Sequence, residues 1–92
     1  MKRIEAVVYG MVQGVSFRHY ARQEARRLNL TGWVKNERDR TVQVVAEGPE
    51  AALQQLVAWL RVGSPYGRVD KVDVTWSAAT AEFKDFQVLW HG

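Results

Sequence analysis

A change of hydrophobic pattern near the start of the chain constrains the fold most strongly. Residues 4–9 are mostly apolar and β-branched, which predicts a strand in the middle of a sheet. From Phe17 to Leu28 the apolar residues follow helical spacing, and Asn29 can adopt the left-handed conformation that ends a helix. A strand followed closely by an amphipathic helix is the first unit of a fold that combines a sheet with helices.

The loop between this strand and this helix, residues 10–18, allows two interpretations. Gly10 and Gly14 let a ligand approach the backbone closely, and a helix start leaves several N–H groups unpaired at the positive end of the helix dipole. Arg18 adds a planar guanidinium that matches phosphate oxygens. These features predict an anion-binding loop. The alternative is a tight turn capped by Ser16, with Arg18 as an exposed basic residue.

The remaining pattern predicts further strands and a second helix. The predicted segments are strands over 31–36, 41–47 and 69–76, a hairpin at 37–40, a helix that has Pro49 in its first turn and ends at 63–65, a surface connection over 77–85 and a short final strand over 86–90. This βαββαβ order with a short extra strand predicts a ferredoxin-like α+β sandwich, in which two helices cover one face of an antiparallel sheet of four or five strands. We expect one domain spanning residues 1–92.

Composition and charge exclude several classes of function. The 92 residues contain no cysteine, which excludes disulfides, zinc–thiolate sites and cysteine nucleophiles. No apolar run approaches the ~20 residues that span a bilayer, and Glu5 interrupts the first apolar segment, so we expect a cytoplasmic protein without membrane contact. The net charge of +3 favours anionic ligands, nucleic acid among them, although the basic residues form no block.

The chain offers no evident nucleophile, general base or metal site, so we expect no metal and no cofactor. Asp70 and Asp73 are three residues apart on a predicted strand and therefore lie on opposite faces. His19 is expected at the surface. Asn36, at the end of the second strand, has an amide that can hold a water molecule through a donor and an acceptor. Asparagine is also common in turns, and the local sequence favours that interpretation.

Two stretches resemble the sequence patterns of the acylphosphatase family. Residues 10–18, with the sequence GMVQGVSFR, match the signature G-x-V-Q-G-V-x-F-R at every specified position. Residues 32–36, with the sequence GWVKN, resemble the second pattern of the family together with Asp39, Val42 and residues 46–48. Two motifs at the expected separation make the resemblance specific.

One position of the hairpin departs from the family pattern. The family usually has glycine at the position of Arg40. Because a non-glycine residue at positive φ costs about 1 kcal/mol or more, we expect this turn to use a different geometry.

The resemblance implies hydrolysis of a small-molecule acyl phosphate to a carboxylate and inorganic phosphate, without a metal. By motif position, it assigns phosphate binding to Arg18 and orientation of the attacking water to Asn36. The backbone amides that it assigns to the phosphate are those of Gln13, Gly14, Val15, Ser16, Phe17 and Arg18. We expect a monomer.

Two other functions remain open at this point. The first is a phosphate- or carbamoyl-phosphate-binding module, like the acylphosphatase-like domain that opens larger hydrogenase-maturation proteins. The length of 92 residues, with no other domain attached, favours a free-standing enzyme instead. The second is a nucleic-acid-binding module, because RNA-recognition domains share this sandwich. It is the weaker alternative, since the predicted central strands 4–9 and 41–47 carry one aromatic residue, Tyr9.

Overall fold

A computed structural model describes residues 1–14 and 16–90 of the chain, and in these residues it contains five strands and two helices. In chain order they are β1 (Lys2–Met11), α1 (Phe17–Arg27), β2 (Thr31–Asn36), β3 (Val42–Gly48), α2 (Glu50–Val62), β4 (Arg68–Ala78) and β5 (Phe86–Leu89). The predicted βαββαβ order with a short extra strand is confirmed.

The strands form one sheet in the order β4-β1-β3-β2-β5. β1 is an interior strand, as predicted, and pairs antiparallel with β3 on one side and with β4 on the other. β2 pairs antiparallel with β3. The first four strands therefore form the antiparallel sheet that the ferredoxin-like α+β prediction describes.

The fifth strand corrects one part of that prediction. β5 pairs parallel with β2, so the complete sheet is mixed and not antiparallel throughout. The reason lies in the connection between β4 and β5. β4 ends beside Lys2, at the amino end of β1, and the chain then reaches Phe86, which pairs with Gly32 near the amino end of β2. Because β5 starts at the edge of the sheet where β2 starts, it runs in the same direction as β2.

Both helices pack on one face of the sheet. Ile4, Ala6 and Val8 of β1 are fully buried, whereas Glu5 between them is exposed, which is the alternation of a strand covered on one face. α1 contacts β2 and β5, and α2 contacts β1, β3 and β4. The largest fully buried side chains of the core are Phe17, Phe86, Ile4, Leu53, Leu56 and Leu60. Each such side chain contributes about 1.5–3 kcal/mol by its removal from water.

The helix ends agree only partly with the sequence prediction. Asn29, which follows the end of α1, has a φ of 58°, so its predicted left-handed conformation is confirmed. Ser16 directly precedes α1, but its side chain makes no capping hydrogen bond. Its φ of 61° replaces the extended backbone from which a capping side chain reaches the first turn. Pro49 directly precedes α2 instead of lying within its first turn, and its carbonyl oxygen accepts the N–H of Leu53.

Candidate active site

The strand directions bring the two predicted parts of the site together. β1 and β2 are both antiparallel to β3, so they run in the same direction and their carboxyl ends lie at one edge of the sheet. The loop that contains residues 12–16 leaves β1 at this edge, and Asn36 is the last residue of β2. Arg18 and Asn36, which are 18 positions apart in sequence, are therefore brought to the same edge of the sheet by the strand directions alone.

A cavity of about 320 Å³ lies between the loop and the end of β2. Both proposed catalytic residues, Arg18 and Asn36, line it. The full lining is Val12, Gly14, Ser16, Phe17, Arg18, His19, Asn36 and Trp90. Of the residues expected to bind phosphate, the structure thus brings together Gly14, Ser16, Phe17 and Arg18, whereas Val15 lies outside the described residues.

The backbone of the loop leaves space for a ligand. Gly14 has a φ of 74°, and a Cβ atom built there would meet no heavy atom within 4 Å. Ser16 is also left-handed. Left-handed residues occur in turns whose successive N–H groups form anion-binding concavities, and the N–H groups in the first turn of a helix have no intrahelical partner. The loop thus combines an open approach with the positive end of the α1 dipole.

The first turn of α1, which carries Arg18, is anchored by the buried side chain of Phe17. Phe17 is 2% exposed, and its ring centroid lies 5.3 Å from that of Trp59 in α2. Arg18 follows directly, and its Cζ atom lies 4.5 Å from the ring centroid of Trp90. In the part of the chain that the structure describes, no carboxylate forms an ion pair with Arg18, so its charge is available to an anion in the cavity.

The amide of Asn36 is unusual because its oxygen is buried without a partner. Within residues 1–14 and 16–90, no group donates a hydrogen bond to Oδ1 of Asn36. A buried acceptor without a donor costs about 1–3 kcal/mol, and a bound water molecule commonly supplies the donor. This atom is therefore an unsatisfied acceptor at the edge of the cavity.

Gln13 connects the loop to the hairpin that follows β2. Its side-chain Nε2 donates hydrogen bonds of 2.8 Å to the carbonyl oxygens of Glu37 and Thr41. Gln13 is absent from the lining of the cavity that contains Arg18. The structure thus gives its side chain a bracing contact that the sequence prediction, which concerned only its backbone amide, did not include.

The hairpin keeps a left-handed turn in spite of Arg40. The φ of Arg40 is 73°, so the expectation of a different turn geometry is wrong. The carboxylate of Asp39 accepts the backbone N–H of Thr41 at 3.0 Å and its hydroxyl at 2.6 Å. These two bonds lower the pKa of Asp39, the hydroxyl contributing more than the N–H. Together with the hydrogen bond from the N–H of Glu37 to the carbonyl of Thr41, they offset the backbone strain at Arg40.

A second and larger cavity, of about 660 Å³, lies on the other side of Asn36. It opens onto the face of the sheet away from the helices and is lined by Val7, Tyr9, Lys35, Asn36, Glu37, Arg38, Asp39, Thr41 and Gln43. It contains neither Arg18 nor the loop before α1. Lys35 in this cavity is already paired with Glu37 at 3.3 Å. The smaller cavity is therefore the better anion site, because it combines the guanidinium of Arg18 with a helix start, whereas the lining of the larger cavity includes the acidic residues Glu37 and Asp39.

The described residues lack two further classes of feature. Residues 1–14 and 16–90 contain no group of three or more His, Cys, Asp or Glu side chains placed to hold a metal ion. Over the same residues, no helix has the length and apolarity needed to span a membrane.

The sheet order and the cavity define a ferredoxin-like α+β protein with a cationic cavity at the carboxyl ends of β1 and β2. A model of the acylphosphatase family matches residues 4–88. Because this match covers nearly the whole chain, the protein belongs to the acylphosphatase family.

Individual relatives agree with this assignment. An acylphosphatase from Salinibacter ruber (strain DSM 13855 / M31) is 48% identical over 87 residues, which are 95% of this chain and 92% of the relative. The crystal structure of acylphosphatase from Bacillus subtilis has a TM-score of 0.94 at 40% identity, covering 98% of this chain and 100% of that one. HypF from T. kodakarensis has a TM-score of 0.82 at 29% identity, over 97% of this chain and 12% of HypF.

Sequence reasoning missed Trp90 as a lining residue of the cavity. Trp90 follows β5, and a contact with Arg18 depends on where β5 lies in the sheet. The chain gives no local signal for that position, because β5 is short and its partner β2 is more than 50 residues away in sequence. The side-chain contacts of Gln13 were missed for the same reason, since both of its acceptors belong to a distant hairpin.

Proposed function

We propose that this protein hydrolyses acyl phosphates, the mixed anhydrides of a carboxylic acid and phosphoric acid, as one acylphosphatase-like domain spanning residues 1–92. The products are a carboxylate and inorganic phosphate. In this proposal Arg18 and the backbone amides of residues 13–18 bind the phosphoryl group, and Asn36 orients the attacking water. No metal or cofactor takes part.

The chemistry requires little beyond positioning and charge stabilisation. Water attacks phosphorus, the bond from phosphorus to the bridging oxygen breaks, and its electron pair leaves with the carboxylate. The protons of the water pass to phosphate oxygens or to solvent. Because a carboxylate is a good leaving group, no strong general acid is needed. Preorganised donors that stabilise charge on the phosphoryl oxygens are the main contribution that a protein makes to such a transfer.

One observation carries the proposal: Arg18 and Asn36 line one cavity, and the buried oxygen of Asn36 lacks a donor among the described residues. The guanidinium supports binding of the phosphoryl oxygens, and the unpaired amide oxygen supports a water molecule beside them. The names of the family and of the relatives support the same reaction.

Turnover of benzoyl phosphate tests the reaction. We expect hydrolysis well above the spontaneous rate, unchanged by a metal chelator and inhibited competitively by inorganic phosphate. Arg18→Ala removes charge-assisted hydrogen bonds worth about 1.5–3 kcal/mol each, so kcat/KM should fall roughly 10²- to 10⁴-fold. Arg61→Ala, an exposed arginine in the last turn of α2, is the matched control and should retain full activity.

The same assay separates the alternatives. A phosphate- or carbamoyl-phosphate-binding module would bind phosphate in an Arg18-dependent manner without turnover, and that result would overturn the enzymatic proposal. A nucleic-acid-binding module would bind single-stranded RNA with a strong dependence on salt and would not hydrolyse benzoyl phosphate. Loss of activity on chelation would contradict the metal-independent mechanism.

The proposal also places the protein in the cytoplasm as a monomer, as expected from the sequence. Light scattering coupled to size-exclusion chromatography tests the monomeric state. The expected mass is 10.5 kDa. A mass of twice this value that persists on dilution would contradict it.

A further inference from the structure

Trp90 lies at the point where the two proposed catalytic residues meet. In the parallel pairing of β2 with β5, Lys35 is opposite Leu89. Asn36 follows Lys35 as the last residue of β2, and Trp90 directly follows the end of β5, so Trp90 comes beside the end of β2. It also lines the cavity that contains Arg18. Its side chain is large and apolar, yet the residue is 70% exposed, so core packing does not explain its position.

The indole of Trp90 contacts the guanidinium of Arg18. The distance of 4.5 Å from Cζ of Arg18 to the ring centroid is well within the range of a cation–π interaction. Arg18 has a long side chain with several rotatable bonds, and fixing such a side chain on binding has an entropic cost. A contact that holds it in place before the ligand arrives removes part of that cost.

An aromatic face restrains arginine in a way that a carboxylate cannot. Several other arginines of this chain are held by acids: Arg3 by Glu47, Arg26 by Asp85, Arg27 by Glu24 and Arg68 by Asp70. An acid at Arg18 would neutralise its charge and compete with phosphate oxygens for its N–H groups. The ring of Trp90 attracts the cation through its π electrons and leaves the N–H groups at the edge of the guanidinium free to donate.

We propose that Trp90 is a positioning residue that holds Arg18 in the orientation for phosphoryl binding without neutralising its charge. This inference rests on the proposed role of Arg18 in the reaction. It predicts that the effect of residue 90 depends on Arg18 and on an aromatic ring at this position. An apolar side chain without a ring should not replace Trp90.

Binding of inorganic phosphate, measured by calorimetry, gives the first test and does not depend on turnover. Trp90→Leu keeps an apolar side chain but removes the ring, and we expect its dissociation constant for phosphate to rise roughly two- to fivefold. Trp90→Phe keeps an aromatic face and should stay within twofold of the original protein. Trp76→Leu, which changes a 41% exposed tryptophan on β4, is the control and should not alter phosphate binding.

A double-mutant cycle on benzoyl phosphate hydrolysis gives the second test. If Trp90 acts through Arg18, Trp90→Leu lowers kcat/KM in the original protein but has no further effect in the Arg18→Ala variant. Equal effects in both backgrounds, or equal behaviour of Trp90→Leu and Trp90→Phe, would overturn the inference. Thermal unfolding of each variant shows whether the fold is retained, and we expect melting temperatures within a few degrees of the original.

The two proposals fail in different ways. If the original protein hydrolyses benzoyl phosphate and Trp90→Leu binds phosphate and turns over like the original, only the role of Trp90 is wrong. If the original protein binds phosphate without turnover, the proposed reaction is wrong, while the calorimetric comparison still decides the role of Trp90.

Discussion

The side-chain amide of Gln13 donates a hydrogen bond of 2.8 Å to the carbonyl oxygen of Thr41. A second hydrogen bond of the same length reaches the carbonyl of Glu37, the residue after Asn36. The loop proposed to bind the phosphoryl group and the strand end that carries Asn36 are therefore held at a fixed distance. A hydrolytic site needs a fixed separation between its reacting groups, because displacement of one of them by about 1 Å can cost 10²-fold in rate.

Removal of this brace should reduce both stability and turnover. Gln13→Ala eliminates two hydrogen bonds, each worth about 0.5–1.5 kcal/mol, so the free energy of unfolding in urea should fall by roughly 1–3 kcal/mol. We expect kcat for benzoyl phosphate to fall roughly tenfold, since Asn36 loses its fixed distance from the loop.

Two variants define the origin of this effect. Gln13→Glu keeps the size of the side chain but places carboxylate oxygens against two carbonyl oxygens, and it should be at least as harmful as the alanine. Gln54→Ala removes an exposed glutamine of α2 and should change the unfolding free energy by less than about 0.5 kcal/mol. An active, fully stable Gln13→Glu protein would contradict the bracing role.

Arg40 offers a test of backbone strain in the hairpin. Its φ of 73° is unfavourable for a residue with a Cβ atom. Arg40→Gly removes this strain and should raise the free energy of unfolding by about 0.5–1 kcal/mol, after the larger entropy of the unfolded glycine chain is taken into account. Arg38→Gly, in the same hairpin but without positive φ, should lower it instead. If both glycine variants destabilise the protein equally in urea unfolding, Arg40 is not strained.

The sequence was sufficient for features that depend on local pattern. The apolar run of residues 4–9 and the helical spacing after Phe17 predicted a central strand and a helix, because burial on one face imposes periods of two and of about 3.6 residues. The order of these elements then left few ways to bury both helices. Only the family resemblance predicted that the loop and Asn36 belong to one site. No local sequence signal relates Arg18 to Asn36, which is 18 positions further along the chain.

Features that depend on distant contacts could not be predicted in this way. The direction of β5 follows from where the chain crosses after β4, and that crossing is fixed by hydrogen bonds from Thr80 and Ala81 to Glu47 on β3. The left-handed turn at Arg40 survives because contacts of Asp39 and Gln13 stabilise the hairpin. Local sequence rules indicate that a non-glycine residue with positive φ is strained. They do not reveal the hydrogen bonds to distant residues that compensate for this strain.

The carboxylate of Glu47 should make stability depend on pH. It is 4% exposed and accepts hydrogen bonds from the N–H and hydroxyl of Thr80, from the N–H of Ala81 and from Arg3. Burial by itself raises the pKa of Glu47, but these hydrogen bonds outweigh it, so the pKa of the folded protein lies below the ordinary 4.5. A carboxyl with a lowered pKa stabilises the fold above its unfolded pKa, and this contribution is lost as pH falls through the folded pKa.

Glu47→Gln isolates this contribution because glutamine does not titrate. We expect the original protein to be more stable than Glu47→Gln at pH 7, with a nearly constant difference that shrinks progressively as the pH falls below the ordinary pKa of 4.5. Chemical unfolding at a series of pH values measures the difference. Asp73→Asn, which removes an exposed carboxylate on β4, should show a much smaller difference at every pH. A Glu47→Gln difference that grows toward low pH would refute the assignment.

Asn36 should affect turnover far more than binding or stability. Asn36→Ala removes the proposed water-orienting amide, so kcat for benzoyl phosphate should fall roughly 10²- to 10³-fold. Arg18 is untouched, so the inhibition constant of inorganic phosphate should change less than about threefold. Because no described group donates to Oδ1, the substitution leaves no protein donor unpaired, and the melting temperature should stay nearly constant. Near-full turnover in Asn36→Ala would rule out the water-orienting role, and weakened phosphate binding with unchanged kcat would make Asn36 a phosphate ligand instead.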